Sequence, residues 1–395
     1  MTRFFFASAL AALAAAPALA QDNVVITTAV PFLQIEPDSR AAGMGMTGVA
    51  VADNAYAPYW NPAGLAGQDG TEFSFTHAPW LPALGADLSF EYLSGKHSMG
   101  DIGTVGGHFT YFNLGEQIWT DDVGTELGTF SSFELSTGLS YGVELGGGLS
   151  VGTGGRFIYS NLTSGTRVEG ADTKPGVSFG ADLGLMYDAP TIKSGDMEIT
   201  PSFGVNLANM GPSIEYIEDD PDTPEVERGV PNAIPTTLRF GTGIEFKLDD
   251  FHRITVAADA NKLAVSRDST GEYDPFYKAL VSSWSPRVID TSAGAAGACA
   301  DRRADDDPAN DCDEIGALQQ LTFGTGLEYW YNDLLALRGG YFYEDPANGN
   351  RQFITFGAGI RYSLVGFDMS YIYALEENSP LADQLRFSLL LNVPR

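Results

Sequence analysis

FLQIEPDSRAAGMGMTGVAVADNAYAPYWNPAGLA, residues Phe32 to Ala66, is the one stretch of this chain that reads as neither strand, turn nor acidic loop. Gly43, Gly45 and Gly48 permit positive φ or close backbone approach, while Pro58 and Pro62 cannot sit inside a hydrogen-bonded ladder. Compact packing without a strand is therefore predicted. Asn61 before Pro62 is a helix N-cap followed by a first-turn proline, which predicts a short helical turn over Ala63 to Ala66. Arg40 is the only cation of the stretch, and once buried it needs a carboxylate or backbone carbonyls. The stretch follows an export signal and precedes a long series of alternating strands. It is read as the heart of a luminal plug over residues 21–70, built on Arg40, Gly43, Gly45, Gly48, Tyr59, Trp60, Asn61 and Pro62. The three glycines also spell G-x-G-x-x-G. The dinucleotide fingerprint needs a hydrophobic strand before it, however, and here Pro37 to Ala42 precede it, so small residues for tight packing is the better reading.

Upstream, Met1 to Ala20 has Arg3 in a short basic region, an apolar run from Phe4, and Ala18-Leu19-Ala20 as a cleavage site, the pattern of a secretory signal peptide over residues 1–20. The mature chain is expected to start at Gln21. No later stretch reaches the roughly 18 apolar residues of a membrane helix, so a membrane would have to be crossed by strands. The formal net charge of −29 argues against nucleic acid, which needs clustered Lys and Arg. With 46 glycines, 12% aromatic residues and a mean hydropathy of −0.06, the chain has the composition of a β-rich outer-membrane protein whose strands alternate lipid-facing and lumen-facing residues.

Downstream, from Thr71, apolar residues recur at period two, beginning with Phe73 and Phe75 and ending with Leu385, Phe387, Leu389 and Leu391. About fourteen such strands are counted, within the range of single-chain barrels. The connections alternate in length. Pro79 to Ala86, Leu114 to Gly128, Asn161 to Lys174, Ala208 to Pro235, Leu263 to Ala317, Glu344 to Asn350 and Leu375 to Ala382 are long. His97 to Asp101, Gly146 to Gly148, Leu248 to Phe251, Asn332 to Asp333 and Leu364 to Gly366 are short, and Asp188 to Asp196 is intermediate. Long outer loops alternating with short periplasmic turns are the mark of an outer-membrane barrel. The fold expected is therefore an all-β membrane protein: an antiparallel outer-membrane β-barrel of about 14 strands over residues 71–395, with both termini periplasmic.

The largest outer loop, residues 263–317, is too long for a mere connection. Within it Phe276, Tyr277, Leu280 and Trp284 follow helical spacing and are candidates for binding cargo or a partner; they either form a lid over the mouth or present an apolar surface. Cys299 and Cys312 lie in the same loop and are expected to bridge after export. The neighbouring aspartates do not match a calcium loop and read as solvated, so no metal and no cofactor is expected. Gly103, Gly106 and Gly107 interrupt the third strand and mark a candidate kink in the wall, either a bend or a lateral opening. Chemistry is only apparent. Gly138 to Gly142 and Gly176 to Gly180 both spell G-x-S-x-G, but inside strands, where no strand-to-helix turn exposes the serine. The four histidines are scattered, and no enzyme activity is expected.

Three segments carry a family resemblance: PDSRAAGMGMTGVAVADNAYAPYWNPAGLA (Pro37 to Ala66), LEYWYNDLLALRGGYFYEDPANGNRQFITFGAGIRYS (Leu327 to Ser363) and SPLADQLRFSLLL (Ser379 to Leu391). The signal peptide, the plug with its NPAG turn and the strand count resemble the FadL-like outer-membrane barrels, and the three segments more specifically resemble the PorV family of the type IX secretion system. The resemblance departs at Gly64, where the family often carries a basic residue, and in the acidic insertion around Cys299 and Cys312. It implies a barrel that is not an enzyme. Such a barrel binds the C-terminal sorting domain of secreted cargo and shuttles it from a giant translocon barrel to a sortase-type attachment complex, in contact with membrane lipid and lipopolysaccharide. The alternative is FadL-type transport of long-chain fatty acids or other hydrophobic compounds, which predicts an apolar pocket beside the plug and a true wall break at Gly106 and Gly107.

Overall fold

The structure, a computed structural model, describes residues 21–22, 27–82, 88–120, 125–162, 167–168, 171–217, 231–268, 271–290, 312–376, 379 and 381–393. The signal-peptide residues and Cys299 lie outside the described residues, so the expected cleavage and disulfide are not addressed by it.

Alternation decides the architecture. In β1 (Thr71–Pro79) Glu72, Ser74, Thr76 and Ala78 point to one side and are buried, while Phe73 and Phe75 point to the other and are exposed. The same inversion runs through β2 (Ser89–Ser98), β3 (Thr104–Thr120), β4 (Glu126–Gly146), β5 (Leu149–Asn161), β6 (Gly176–Asp188) and β7 (Met197–Met210). It continues in β8 (Thr237–Lys247), β9 (His252–Leu263), β10 (Leu321–Tyr331), β11 (Leu335–Glu344), β12 (Gln352–Tyr362), β13 (Val365–Ala374) and β14 (Leu385–Val393). Apolar side chains outside and polar ones inside suit a wall with lipid around it. Each strand pairs antiparallel with its sequence neighbours, and β1 pairs with β14 from Thr71↔Val393 to His77↔Phe387, so the 14 strands close without an edge. Among the described residues no helix is long and apolar enough to cross a membrane.

The short connections are tight turns. Asn332 and Asp333 both have positive φ, as a two-residue hairpin between twisted strands requires. The intermediate connection is itself part of the sheet: Ile192–Ser194 folds back on Met197–Ile199 at the start of β7.

Three expectations need correction. Within Leu114 to Gly128 the described residues are mostly strand, because β3 runs on to Thr120 and β4 starts at Glu126, 17 and 21 residues long and paired past a register shift at Asn113/Glu116. About 9–11 tilted residues cross a bilayer, so this hairpin extends well beyond it. The third strand is also not interrupted at its glycines. Gly103 precedes it with φ +117, whereas Gly106 and Gly107 pair in register with Lys96 and Gly95 on one side and with Ser140 and Leu139 on the other. Gly106 faces inward, where a Cβ would lie 2.9 Å from Pro58 Cγ; close packing, and no break, is its physical reason. Finally, the described N-terminal residues are not at the periplasmic end. Gln21–Asp22 pairs with Arg287–Asp290 of the largest outer loop, and Ala29 N–H donates to Ala233 O at 2.9 Å in another. The chain enters the lumen from the outer mouth and leaves at the opposite end, where β1 begins.

Candidate functional site

The lumen is filled by residues 29–65, which touch the wall on every side. Asp38 caps the short helix α1 (Ser39–Ala42), accepting from Ala41 N–H at 2.5 Å and from Trp60 Nε1 at 2.6 Å. A second turn, α2 (Ala57–Trp60), is followed by the 3₁₀ turn Pro62–Leu65, where Asn61 Oδ1 accepts from Ala63 N–H at 3.1 Å. The amide of Asn61 donates to Val49 O and to Leu185 O of β6, both at 3.1 Å. Ser39 N–H donates to Ser388 Oγ of β14 at 3.1 Å, Gly45 N–H to Thr355 Oγ1 of β12 at 2.9 Å, and Ala55 N–H to Glu72 Oε1 of β1 at 2.9 Å. The Asp259 carboxylate of β9 accepts from Gly48 and Val49 N–H at 2.7 and 3.0 Å.

Glycine makes this fit possible where backbone meets backbone. Gly45 has φ +66, and a Cβ there would sit 2.6 Å from both N and O of Tyr341 in β11. Wall glycines answer it: a Cβ on Gly340 would meet the Met44-Gly45 backbone.

One side of the lumen carries an ion-pair chain. Arg40 reaches Glu328 of β10 at 2.8 Å and also pairs with Asp53. Glu328, 1% exposed, accepts in turn from Arg338 Nε of β11 at 2.6 Å, and Arg338 donates to Asp368 of β13 at 2.7 Å. Arg361 closes the chain on Asp368 at 2.6 Å. Charged hydrogen bonds of this kind are strong where water is scarce, and breaking one partner leaves an uncompensated buried charge. Two strands along from Glu328, Arg239 of β8 lies over the Tyr59 ring, 4.6 Å from its centroid, and donates to Tyr59 O at 2.7 Å. Asp38, Glu72, Arg239, Asp259, Glu328 and Asn206, whose amide donates to Trp60 O at 2.8 Å, were not singled out from the sequence. The usable signal was parity: a charged residue at the non-apolar position of an alternating strand must face inward.

Above this segment an outer vestibule of about 560 Å³ opens between the long loops, floored by Met46, Tyr59 and Trp60. Beside it lies a second cavity of about 530 Å³, lined by Ala233, Ile234, Val265, Tyr273 and helix α3 (Phe276–Ser282). The helix does not present the expected four residues on one face. Ala279 is buried and Phe276, Leu280 and Trp284 are half-buried, but Tyr277 is 68% exposed beside Val281. A step of one residue rotates the helix by about 100°, which parts Tyr277 from Phe276. The helix is anchored by Asp274, whose carboxylate receives Lys278 Nζ at 2.5 Å and the hydroxyls of Ser266 and Ser282 at 2.8 Å. Burial works against this charge, yet the three hydrogen bonds outweigh it and hold the carboxyl below its usual range. Among the described residues no cluster suited to a metal ion is present.

The profile of the family described as type IX secretion system protein PorV matches residues 18–270, well over half of the chain. The chain belongs to the PorV family. Among solved structures it is similar to the Pseudomonas putida toluene transporter TodX, with 12% identity, 91% of this chain and 99% of that one covered and a TM-score of 0.51, a likeness that shows the fold. The Ralstonia pickettii toluene transporter TbuX is 15% identical over 91% of this chain and 98% of its own, with a TM-score of 0.48. A Pseudomonas aeruginosa FadL homologue is 12% identical over 90% and 98%, with a TM-score of 0.40. Among curated proteins none matches the sequence. The chain is thus a PorV-family outer-membrane barrel with the fold of TodX, crossing the membrane many times.

Proposed function

We propose that this barrel receives secreted proteins by their C-terminal sorting domain at its outer face and shuttles them from a giant translocon barrel to a sortase-type attachment complex, without catalysing a reaction. Residues 29–65 act as a plug in this reading. The observation that carries it is the combination of a PorV-family chain with a lumen packed by its own N-terminal segment, which directs the work of the protein to the loops. The cavity beside α3 supports docking there, with Phe276, Leu280 and Trp284 toward the body of the loop and Tyr277 offered outward. Uptake of hydrophobic compounds through the side of the barrel finds no support at Gly106 and Gly107, where the ladder is continuous.

The test is a pulldown of the tagged protein from outer membranes, with bound partners identified by mass spectrometry. Recovery of proteins carrying the sorting domain together with a very large barrel is expected, and Phe276→Ala and Tyr277→Ala should reduce it. Recovery of neither, with co-purified fatty acid in their place, overturns the proposal.

A further inference from the structure

Among the described residues the vestibule wall carries more positive charge than its carboxylates neutralise. Among the described residues its wall carries Arg239, Arg287 and Arg351 against Glu36 and Glu344, three positive charges to two negative, in a chain whose formal net charge is −29. Arg351 is committed to Glu344 at 2.6 Å, and Arg239 to Tyr59. Arg287 is the exception. It is only 7% exposed, no ion pair reaches it among the described residues, and the charged group that bears on it is another cation, Lys262. Lys262 in turn donates a hydrogen bond to Gln320 Oε1 at 2.7 Å. A guanidinium cannot shed its charge at physiological pH, and one with no carboxylate against it among the described residues is suited to an anion from outside.

Two amides share the same space. Gln384 is 1% exposed and lines the vestibule with neither its Oε1 nor its Nε2 bonded; Asn261 lines it with a buried Oδ1 equally unpartnered. Two residues on from Gln384, inside β14, Arg386 is 2% exposed and none of its three side-chain nitrogens has a hydrogen-bond partner. Open donors and acceptors side by side match a group that offers both. A peptide unit does so, whereas a fatty acid offers only its carboxylate and a hydrocarbon nothing. Met46, Trp60, Phe342, Phe353 and Ile372 supply apolar surface between these polar points, and about 560 Å³ falls in the ordinary range of ligand sites.

We propose that the vestibule captures the free C-terminal carboxylate of an extended polypeptide, with Arg287 receiving the carboxylate and the Gln384 and Asn261 amides pairing with the last peptide groups. This rests on the reading that the barrel receives secreted proteins by a C-terminal domain, and it names the part of that domain that enters the mouth.

The experiment uses the whole barrel in lipid nanodiscs and a fluorescent pool of randomised hexapeptides, prepared once with free C-terminal carboxylates and once as carboxamides. The free-acid pool should bind at least about tenfold more tightly than the amidated pool. Arg287→Met should erase that preference, and Gln384→Leu should weaken both pools, while both variants keep the wild-type shift of a folded barrel on heating before electrophoresis. Equal binding of acid and amide, binding of neither, or a preference that survives Arg287→Met overturns the inference. So does binding of laurate but not of peptide in an Arg287-dependent way, which would assign the site to acyl carboxylates. A sorting domain recovered in the pulldown separates the two levels of the argument. If it binds equally with its terminus amidated, only the carboxylate site fails; if it does not bind at all, the docking function fails.

Discussion

Glu328→Gln isolates what holds the N-terminal segment in the lumen. Glu328 stands between Arg40 of the segment and Arg338 of the wall, at 2.8 and 2.6 Å, and is almost wholly buried. The amide keeps the shape and one acceptor but leaves both guanidinia without its charge. Arg338 retains Asp368, whereas Arg40 keeps only Asp53, which is 60% exposed and hence a weaker anchor. The loss therefore falls on the segment. Removing one partner of a buried pair costs about 3–5 kcal/mol. At the lower figure the released state of the segment becomes about 100-fold more populated, since each 1.4 kcal/mol is roughly tenfold. Hydrogen exchange reads this directly. The α1 amides of Ala42 and Gly43, bonded to Asp38 O and Ser39 O, should exchange about 100-fold faster, while amides of the β1–β14 ladder should not change. Adding Arg40→Met should recover a large part of the protection by removing the stranded charge. Unchanged exchange in Glu328→Gln would refute the reasoning, and equal acceleration in segment and ladder would show that the network stabilises the whole barrel.

Further outcomes follow from the same geometry. An epitope placed directly before Gln21 should be reached by antibody on intact cells, because Gln21–Asp22 pairs with Arg287–Asp290 of an outer loop; one placed after Val393 should require permeabilised cells. Docking of α3, followed by limited proteolysis of the outer loop, should be constant from neutral pH down to the carboxylate range. A carboxyl held below its usual value contributes stability that is complete above the unfolded value and is lost as pH falls through the folded one, so release near pH 6 would count against Asp274 as the anchor. Ser39→Cys with Ser388→Cys, whose hydroxyl oxygens lie 2.9 Å apart, should lock the segment to β14 on oxidation and leave secretion intact; loss of secretion that a reductant restores would show that the segment must move.

Much of the barrel was legible because lipid enforces period two. Phe73, Phe75, Leu389 and Leu391 have to face outward, and one missed residue would turn a whole strand inside out. The Asn61-Pro62 turn was equally readable, since capping is a local affair. Leu114 to Gly128 misled because Gly115 and the acidic run from Asp121 look like a loop, although Glu116 to Thr120 still pair across to Glu126–Ser131. The vestibule could not be seen. Arg287 comes from the middle of the longest loop, Asn261 from the end of β9 and Gln384 from the residue before β14, and no period or spacing joins them. Their meeting is set by closure of the barrel, which is a property of the whole chain.

Closure also bears on how such a barrel can work. The segment is tied at the outer mouth through Ala29 to Ala233 and Thr27 to Tyr273, and at the inner end through Gly70 O to Ser98 N–H. Between these ties Arg40, the Asn61 amide and backbone N–H groups of the segment are bonded to strands around the ring. Moving it aside would break the Glu328 ion pair, the Asp259 contacts on the adjoining strand and the Asn61 contact to β6, each costly to leave unmade. A polypeptide passing through this lumen would have to supply that energy before any contact of its own repaid it. Binding at the mouth requires none of it, because the vestibule and the cavity beside α3 already lie outside the packed segment. The polar interior is therefore best understood as the device that fixes the segment, which under the proposed function leaves the loops as the surface for partners.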